Sequence, residues 1–92
     1  MKLNKKISYT TIGEETLISN TELNKDLILD SIGTEIWNLL LEYKNKSIVK
    51  DKLINKYNET DPEFIERDIE EFINELNNYK IFDSVEEFKW TK

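Results

Sequence analysis

The groups in this 92-residue sequence that could do chemistry are mainly carboxylates, and seven of them fall within residues 61–75. Carboxylates serve as general acids and bases, or as oxygen ligands for Ca²⁺ and Mg²⁺. Their spacing does not match an EF-hand loop, and the sequence contains no histidine and no cysteine. The usual general base, Ser-His and Cys-His nucleophile pairs, thiolate metal sites and disulfides are therefore excluded. This inventory predicts a protein that is not an enzyme and holds no metal or other cofactor.

The same acidic segment carries the whole charge excess of the chain. Its seven acids are accompanied by one base, Arg67, so it accounts for the net charge of −6. Affinity for nucleic acid depends on a cationic surface. A helix with this charge would be repelled by phosphate, so the sequence predicts that the protein does not bind nucleic acid.

No targeting or membrane segment is predicted. Residues 1–6 are positively charged, as in a signal peptide, but no apolar stretch follows them. No apolar run approaches the roughly 20 residues of a membrane-spanning helix. A chain of this length has room for one modest core. We therefore expect a single domain over residues 1–92, located in the cytoplasm and without a membrane partner.

The elements that must position the acidic segment begin with three short strands. Residues 7–12, 16–19 and 25–30 have the alternating or β-branched character of strands. Gly13 and Glu14 fit the two-residue loop of a type II′ hairpin. Short strands with tight links predict an antiparallel meander.

A first helix is expected to follow the third strand directly, with Asp30 or Ser31 as its N-cap. Its predicted core face consists of Ile32, Ile36, Leu39 and Tyr43. Trp37 and Leu41 lie on the other side of this helix, where an exposed patch would dock a partner. We favour the interpretation that Trp37 makes a second core contact, as in most small domains.

Two further helices complete the predicted fold. Ser47 is the expected N-cap of the second helix, whose apolar face would hold Val49, Leu53 and Tyr57. Asp61 and Pro62 begin the third helix, because proline lacks a donor that the first helical turn does not need. Ile81 and Phe82 are expected to fold back on the core. The pattern predicts a small α+β domain of the winged helix-turn-helix type, with a three-stranded antiparallel sheet followed by three helices.

The third helix has an apolar stripe between two different flanks. The stripe expected at the core consists of Ile65, Ile69, Phe72 and Leu76. One flank mixes aromatic and acidic side chains, namely Phe64, Asp68, Glu71, Glu75 and Tyr79. The opposite flank holds Glu66, Ile73 and Asn77. Acids at this spacing also fit a solvated helix face. The sequence does not decide which flank faces the third strand.

The junction between the third strand and the first helix, residues 29–40, reads LDSIGTEIWNLL. It resembles the stretch Leu-Asn-x-x-Ala/Gly-x-Glu-Ile-Trp-x-Leu-Leu of the PqqD family, whose small domains are also called RiPP recognition elements. The spacing of Leu53 and Tyr57, together with residues 61–63 and 68–76, resembles later parts of the family pattern. The likeness covers roughly residues 7–83 and leaves the tail at 84–92, with Phe88 and Trp90, without a counterpart. Lys80 is a departure, because the family often has glycine after its last helix.

The resemblance implies a non-catalytic adaptor that binds the leader of a ribosomally made precursor peptide and presents it to a modifying enzyme. By the same likeness, that enzyme is a radical S-adenosylmethionine enzyme or a leader peptidase and cyclase pair. The leader would add as a strand beside the third strand, in a groove against the third helix. We favour the flank of the third helix that mixes aromatic and acidic side chains as the groove wall. The predicted peptide-binding residues are therefore Lys25, Asp26, Leu27, Ile28, Leu29, Asp30, Phe64, Asp68, Glu71, Phe72, Glu75 and Tyr79. Charges on this strand also fit an ordinary solvated edge. The alternative function is a winged-helix transcriptional regulator that binds DNA.

Overall fold

The protein is described from a computed structural model, which covers residues 4–81. The elements are β1 (Ile7–Ile12), β2 (Glu15–Asn20), β3 (Lys25–Leu29), α1 (Ser31–Tyr43), α2 (Lys46–Lys56) and α3 (Pro62–Asn78). The strands form one antiparallel sheet in the order β1-β2-β3. The predicted α+β architecture is confirmed. The predictions for Phe82 and for the tail at 84–92 lie outside the described residues.

The β1–β2 hairpin follows from a glycine at the turn. Ile12 pairs with Glu15, which leaves Gly13 and Glu14 as the loop. Gly13 has φ = 62°, a left-handed conformation that glycine adopts without a steric penalty. The tight hairpin predicted at this position is therefore confirmed.

Helix α1 begins immediately after β3 because Asp30 caps it. The Asp30 carboxylate accepts a hydrogen bond from the Gly33 N–H at 2.8 Å, so β3 ends one residue earlier than predicted. Trp37 is fully buried, and its ring meets the Tyr9 ring edge-on with centroids 5.2 Å apart. The prediction of a core contact for Trp37 is confirmed. The prediction that Ile32 lies in the core is wrong. Its side chain is 59% exposed, because α1 turns its Gly33–Trp37 side toward the sheet.

Helix α2 is capped by a residue that the sequence pattern did not single out. The side chain of Asn45 accepts a hydrogen bond from the Ile48 N–H at 3.1 Å, so the prediction of Ser47 as N-cap is wrong. Val49 and Leu53 are buried as predicted. Tyr57 is exposed rather than part of the buried face, because it lies beyond the last helical turn as the C-cap.

Helix α3 begins as predicted, with Asp61 accepting a hydrogen bond from the Glu63 N–H at 3.0 Å and Pro62 in the first turn. Its buried residues are Ile65, Ile69, Ile73 and Leu76. The expected position of Phe72 at the centre of the core stripe is therefore wrong. Ile73 takes that place because the buried side of α3 is rotated toward it, and Phe72 packs half-buried at the edge of the core.

Lys80, where the family often has glycine, lies just after the end of α3. This residue has φ = 51°, the left-handed conformation for which glycine is favoured after a helix. The turn brings Ile81 back onto the core, where it is fully buried, as predicted. The Asn4 N–H donates to the Ile81 carbonyl at 2.9 Å, so the two ends of the described chain are joined.

Candidate functional site

One edge of the sheet is open beside α3. In the described part of the chain, β3 pairs only with β2, and its other edge faces no strand. An open edge displays backbone N–H and C=O groups that can pair with an added strand. Hydrogen-bonded and non-hydrogen-bonded residue pairs alternate along the strands, and the phase of this alternation decides which residues display these groups.

The phase can be read from the start of β1. The Thr21 N–H donates to the Lys6 carbonyl at 3.0 Å, which makes these two residues a hydrogen-bonded pair. The next pair along the ladder is Ile7 with Asn20. Because hydrogen-bonded and non-hydrogen-bonded pairs alternate in antiparallel sheets, the backbone groups of Asn20 face β3 instead of β1.

The same alternation continues into β3. Asn20 pairs with Lys25, so Lys25 and every second residue after it bond to β2. The N–H and C=O groups of Asp26 and Ile28 consequently point to the open edge. Each of these two residues offers one donor and one acceptor to an incoming strand.

Helix α3 runs alongside β3 in the opposite direction. At the start of β3, the Lys25 ammonium lies 5.7 Å from the centroid of the Tyr79 ring. Beyond the end of β3, the Phe72 ring approaches Gly33, where an added Cβ would lie 3.5 Å from Phe72 Cε2. The contacts therefore pair the start of the strand with the end of the helix. The side chains of α3 form a wall along the open edge.

The space between these elements is a groove of about 370 Å³, which we call the edge groove. Ile28, Leu29 and Asp30 line it from the strand side, and Ile32, Gly33 and Ile36 line it from α1. The wall contributed by α3 consists of Asp68, Glu71, Phe72 and Glu75. Leu29, Ile36 and half-buried Phe72 make an apolar floor, and the exposed carboxylates make an acidic rim.

The structure brings together most of the predicted peptide-binding residues and separates the others. The predicted residues that line the edge groove are Ile28, Leu29, Asp30, Asp68, Glu71, Phe72 and Glu75. Lys25 and Tyr79 lie together near the start of β3. Leu27 is buried in the core and its backbone groups bond to β2, so it offers no backbone hydrogen bond to an added strand. Phe64 does not line the groove, and the Arg67 guanidinium stacks 5.5 Å from its ring centroid.

The structure also settles which flank of α3 faces β3. The flank with Asp68, Glu71 and Glu75 lines the groove, and the flank with Glu66 does not. Glu66 instead approaches the ammonium of Lys50 on α2, at 3.9 Å. Within the part of the chain that the structure describes, the lining includes four acids and no lysine or arginine, which makes the groove anionic.

Sequence reasoning missed the contribution of α1 to this groove. Ile32 and Gly33 line it, although Ile32 was predicted in the core. Gly33 permits the first turn of α1 to lie close to the end of β3, because a Cβ there would lie 3.3 Å from both Asp30 Oδ1 and Leu29 Cβ. The small residue in the LDSIGTEIW pattern was the available signal. An apolar pocket of about 150 Å³ continues the groove past Ile36 and Asp68 toward Leu53.

Outside the edge groove, a polar cluster joins α1 to the end of α2. Both Lys56 and Tyr57 donate hydrogen bonds to the Glu35 carboxylate, and the Tyr57 distance is 2.6 Å. Partial burial opposes ionisation of Glu35, but these two hydrogen bonds prevail and lower its pKa. The bond to Glu35 raises the pKa of Lys56 and that of Tyr57. All three groups are held in their ordinary protonation states, so the cluster joins α1 to the end of α2 through charged and neutral hydrogen bonds.

The described residues contain no group of three or more acids, histidines or cysteines arranged to hold a metal ion. None of the helices described here is long and apolar enough to cross a membrane.

Comparison with known proteins gives two matches. The model of the family described as coenzyme PQQ synthesis protein D (PqqD) matches residues 15–81. A solved structure titled "TbiB1 in Complex with the TbiA(beta) Leader Peptide" is similar with a TM-score of 0.81 and 26% sequence identity. The similarity covers 91% of this chain and 96% of that chain. Comparison with curated proteins gave no match. Since the family match spans most of the sequence and includes β3, all three helices and the edge groove, this chain belongs to the PqqD family.

Proposed function

We propose that this protein binds the leader segment of a ribosomally synthesised precursor peptide as an added strand on β3. The observation that carries the proposal is the open edge at Asp26 and Ile28, placed opposite the α3 wall. The similar TbiB1 structure contains a bound leader peptide, which supports the same ligand class for this chain.

Recognition in this proposal has a backbone part and a side-chain part. Asp26 and Ile28 supply backbone hydrogen bonds, each with a net worth of about 0.5–1.5 kcal/mol. The α3 wall, chiefly Asp68, Glu71, Phe72 and Glu75, selects side chains. Lys25 and Tyr79 extend the site at the start of β3, and Phe64 remains a predicted contact without support from the groove geometry.

The protein acts in this proposal without catalysing a reaction. The sequence has no histidine and no cysteine, and Glu35, Lys56 and Tyr57 are engaged with one another. Holding the leader raises the concentration of the rest of the precursor at a modifying enzyme. Whether that enzyme is a radical S-adenosylmethionine enzyme or a leader peptidase and cyclase pair stays a prediction, as do the cytoplasmic location and the single domain over residues 1–92.

Amide hydrogen exchange on the full chain tests strand addition directly. The probe is a synthetic peptide with the leader sequence of a short precursor reading frame, which is first sought beside this gene. In the free protein, we expect the amides of Leu27 and Leu29 to be protected by β2 and those of Asp26 and Ile28 to exchange rapidly. Added peptide should protect Asp26 and Ile28. Binding without this protection contradicts strand addition, and tight, salt-dependent binding of duplex DNA favours the transcriptional regulator instead.

A further inference from the structure

The edge groove combines an apolar floor with an acidic rim. Phe72 and Leu29 contribute the floor, and Asp68, Glu71 and Glu75 stand exposed on one side of it. Lysine and arginine match both parts, because their aliphatic stems pack on apolar surface while their cationic ends reach outward. A short apolar side chain would meet the floor alone and leave the carboxylates without a partner from the peptide.

The geometry of an added strand determines which of its side chains reach this rim. Leu27 and Leu29 point their buried side chains toward the helices, and Ile28 points to the other face of the sheet. Residues of an added strand that lie opposite Leu27 and Leu29 therefore point toward α3 as well. These are every second residue of the peptide.

The spacing of inward-facing residues along an added strand matches the spacing of two acids along α3. Two successive inward-facing residues of a strand are about 6.8 Å apart. Glu71 and Glu75 are four residues apart on α3, which corresponds to about 6 Å along the helix axis. Because α3 runs alongside β3, one of two alternate peptide residues lies opposite Glu71 and the other lies opposite Glu75.

We infer that the edge groove selects peptide segments that carry lysine or arginine at two alternate positions facing α3. This inference rests on the proposed function and names the chemistry of the segment that is bound. Among residues 4–81, no lysine or arginine lines the groove, so no described cation of the groove competes for the carboxylates.

Selection from a random library provides the test. Phage-displayed 12-residue peptides are selected against the full chain, against the double variant Glu71→Lys/Glu75→Lys, and against the control Glu42→Lys/Glu59→Lys. The control changes the net charge equally at two exposed residues outside the groove. We expect alternate basic residues in peptides selected by the wild type and by the control, and loss of this pattern with the groove variant.

Synthetic versions of a selected peptide make the test quantitative. At low salt, the groove variant should bind the basic peptide on the order of tenfold more weakly than the wild type. Exchanging the two basic residues of the peptide for glutamate should restore binding to the groove variant. Screening by 0.5 M salt should reduce the difference.

The outcomes separate the inference from the function on which it rests. Selected peptides that lose affinity when their backbone amides are methylated, yet show no basic bias, reject the charge inference and support strand addition. An equal loss of affinity in the control variant also rejects it, because net charge alone then explains the preference. If no peptide depends on its backbone amides, both the proposed function and the inference are wrong.

Discussion

Proline in place of Ile28 should weaken leader binding strongly while leaving the sheet intact. The N–H of Ile28 points to the open edge, so its removal takes no hydrogen bond from the β2–β3 ladder. Proline is tolerated on edge strands when the missing N–H faces solvent. We expect the free energy of unfolding to fall by at most about 1 kcal/mol.

The effect on binding is larger because one peptide carbonyl loses its donor. The lost hydrogen bond is worth about 1 kcal/mol net, and a carbonyl left unsatisfied in the groove costs about 1–3 kcal/mol. The total of about 2–4 kcal/mol corresponds to a Kd raised roughly 30- to 900-fold. Titration calorimetry with the synthetic leader peptide measures this change, and urea denaturation measures the stability.

Two variants serve as controls for this substitution. Ile28→Ala removes the 70% exposed side chain but keeps the N–H, so the difference between alanine and proline reports the backbone. Thr11→Pro places proline on β1, where the same alternation points the N–H to the opposite edge of the sheet. If Ile28→Pro binds within twofold of Ile28→Ala, or if Thr11→Pro weakens binding equally, the assignment of the binding edge is refuted.

Three further predictions concern the fold. Lys44 caps α1 with φ = 55° and ψ = 31°, so Lys44→Gly should stabilise the protein by about 1 kcal/mol and raise Tm by roughly 4–8 °C, whereas Lys44→Ala should not. Glu35→Gln should remove a stabilisation that is present while Glu35 is ionised and Lys56 is protonated. The pKa of Glu35 is lowered from 4.5 and that of Lys56 is raised from 10.5. Urea denaturation should therefore show the difference in unfolding free energy between wild type and variant disappearing in acid below pH 4.5 and in alkali above pH 10.5. A difference that persists at both extremes contradicts the assignment. Thr16→Val should cost about 1–3 kcal/mol, because it leaves the buried hydroxyl of Thr34 without its partner at 2.9 Å, and the double variant with Thr34→Val should recover part of the loss in denaturant titrations.

Local sequence signals predicted the elements well because their causes are local. Gly13 permits the left-handed turn of the hairpin, and Asp61 with Pro62 begins α3 by satisfying the first helical donors. Asn45 shows the limit of this reasoning. Both Asn45 and Ser47 are good caps, and propensity alone does not choose between two such residues two positions apart.

Predictions of which face is buried were less accurate than predictions of the elements. Ile32 and Phe72 were both placed in the core by helical spacing, and both line the edge groove instead. Apolar residues on neighbouring faces of a helix satisfy the periodicity almost equally. The choice between Phe72 and Ile73 depends on how α3 is rotated against the sheet.

The sequence by itself determined the strand and helix order, the family likeness, the absence of histidine and cysteine chemistry and the acidic character of α3. These properties depend on composition and on spacings within single elements. Only the tertiary structure decided that β3 has an open edge within residues 4–81, and that Asp26 and Ile28 direct their backbone groups toward it. The same holds for the Asp68–Glu71–Glu75 flank, which faces that edge. These features depend on how separate elements pack together, and the periodicity of one helix or strand carries no information about the orientation of its neighbour.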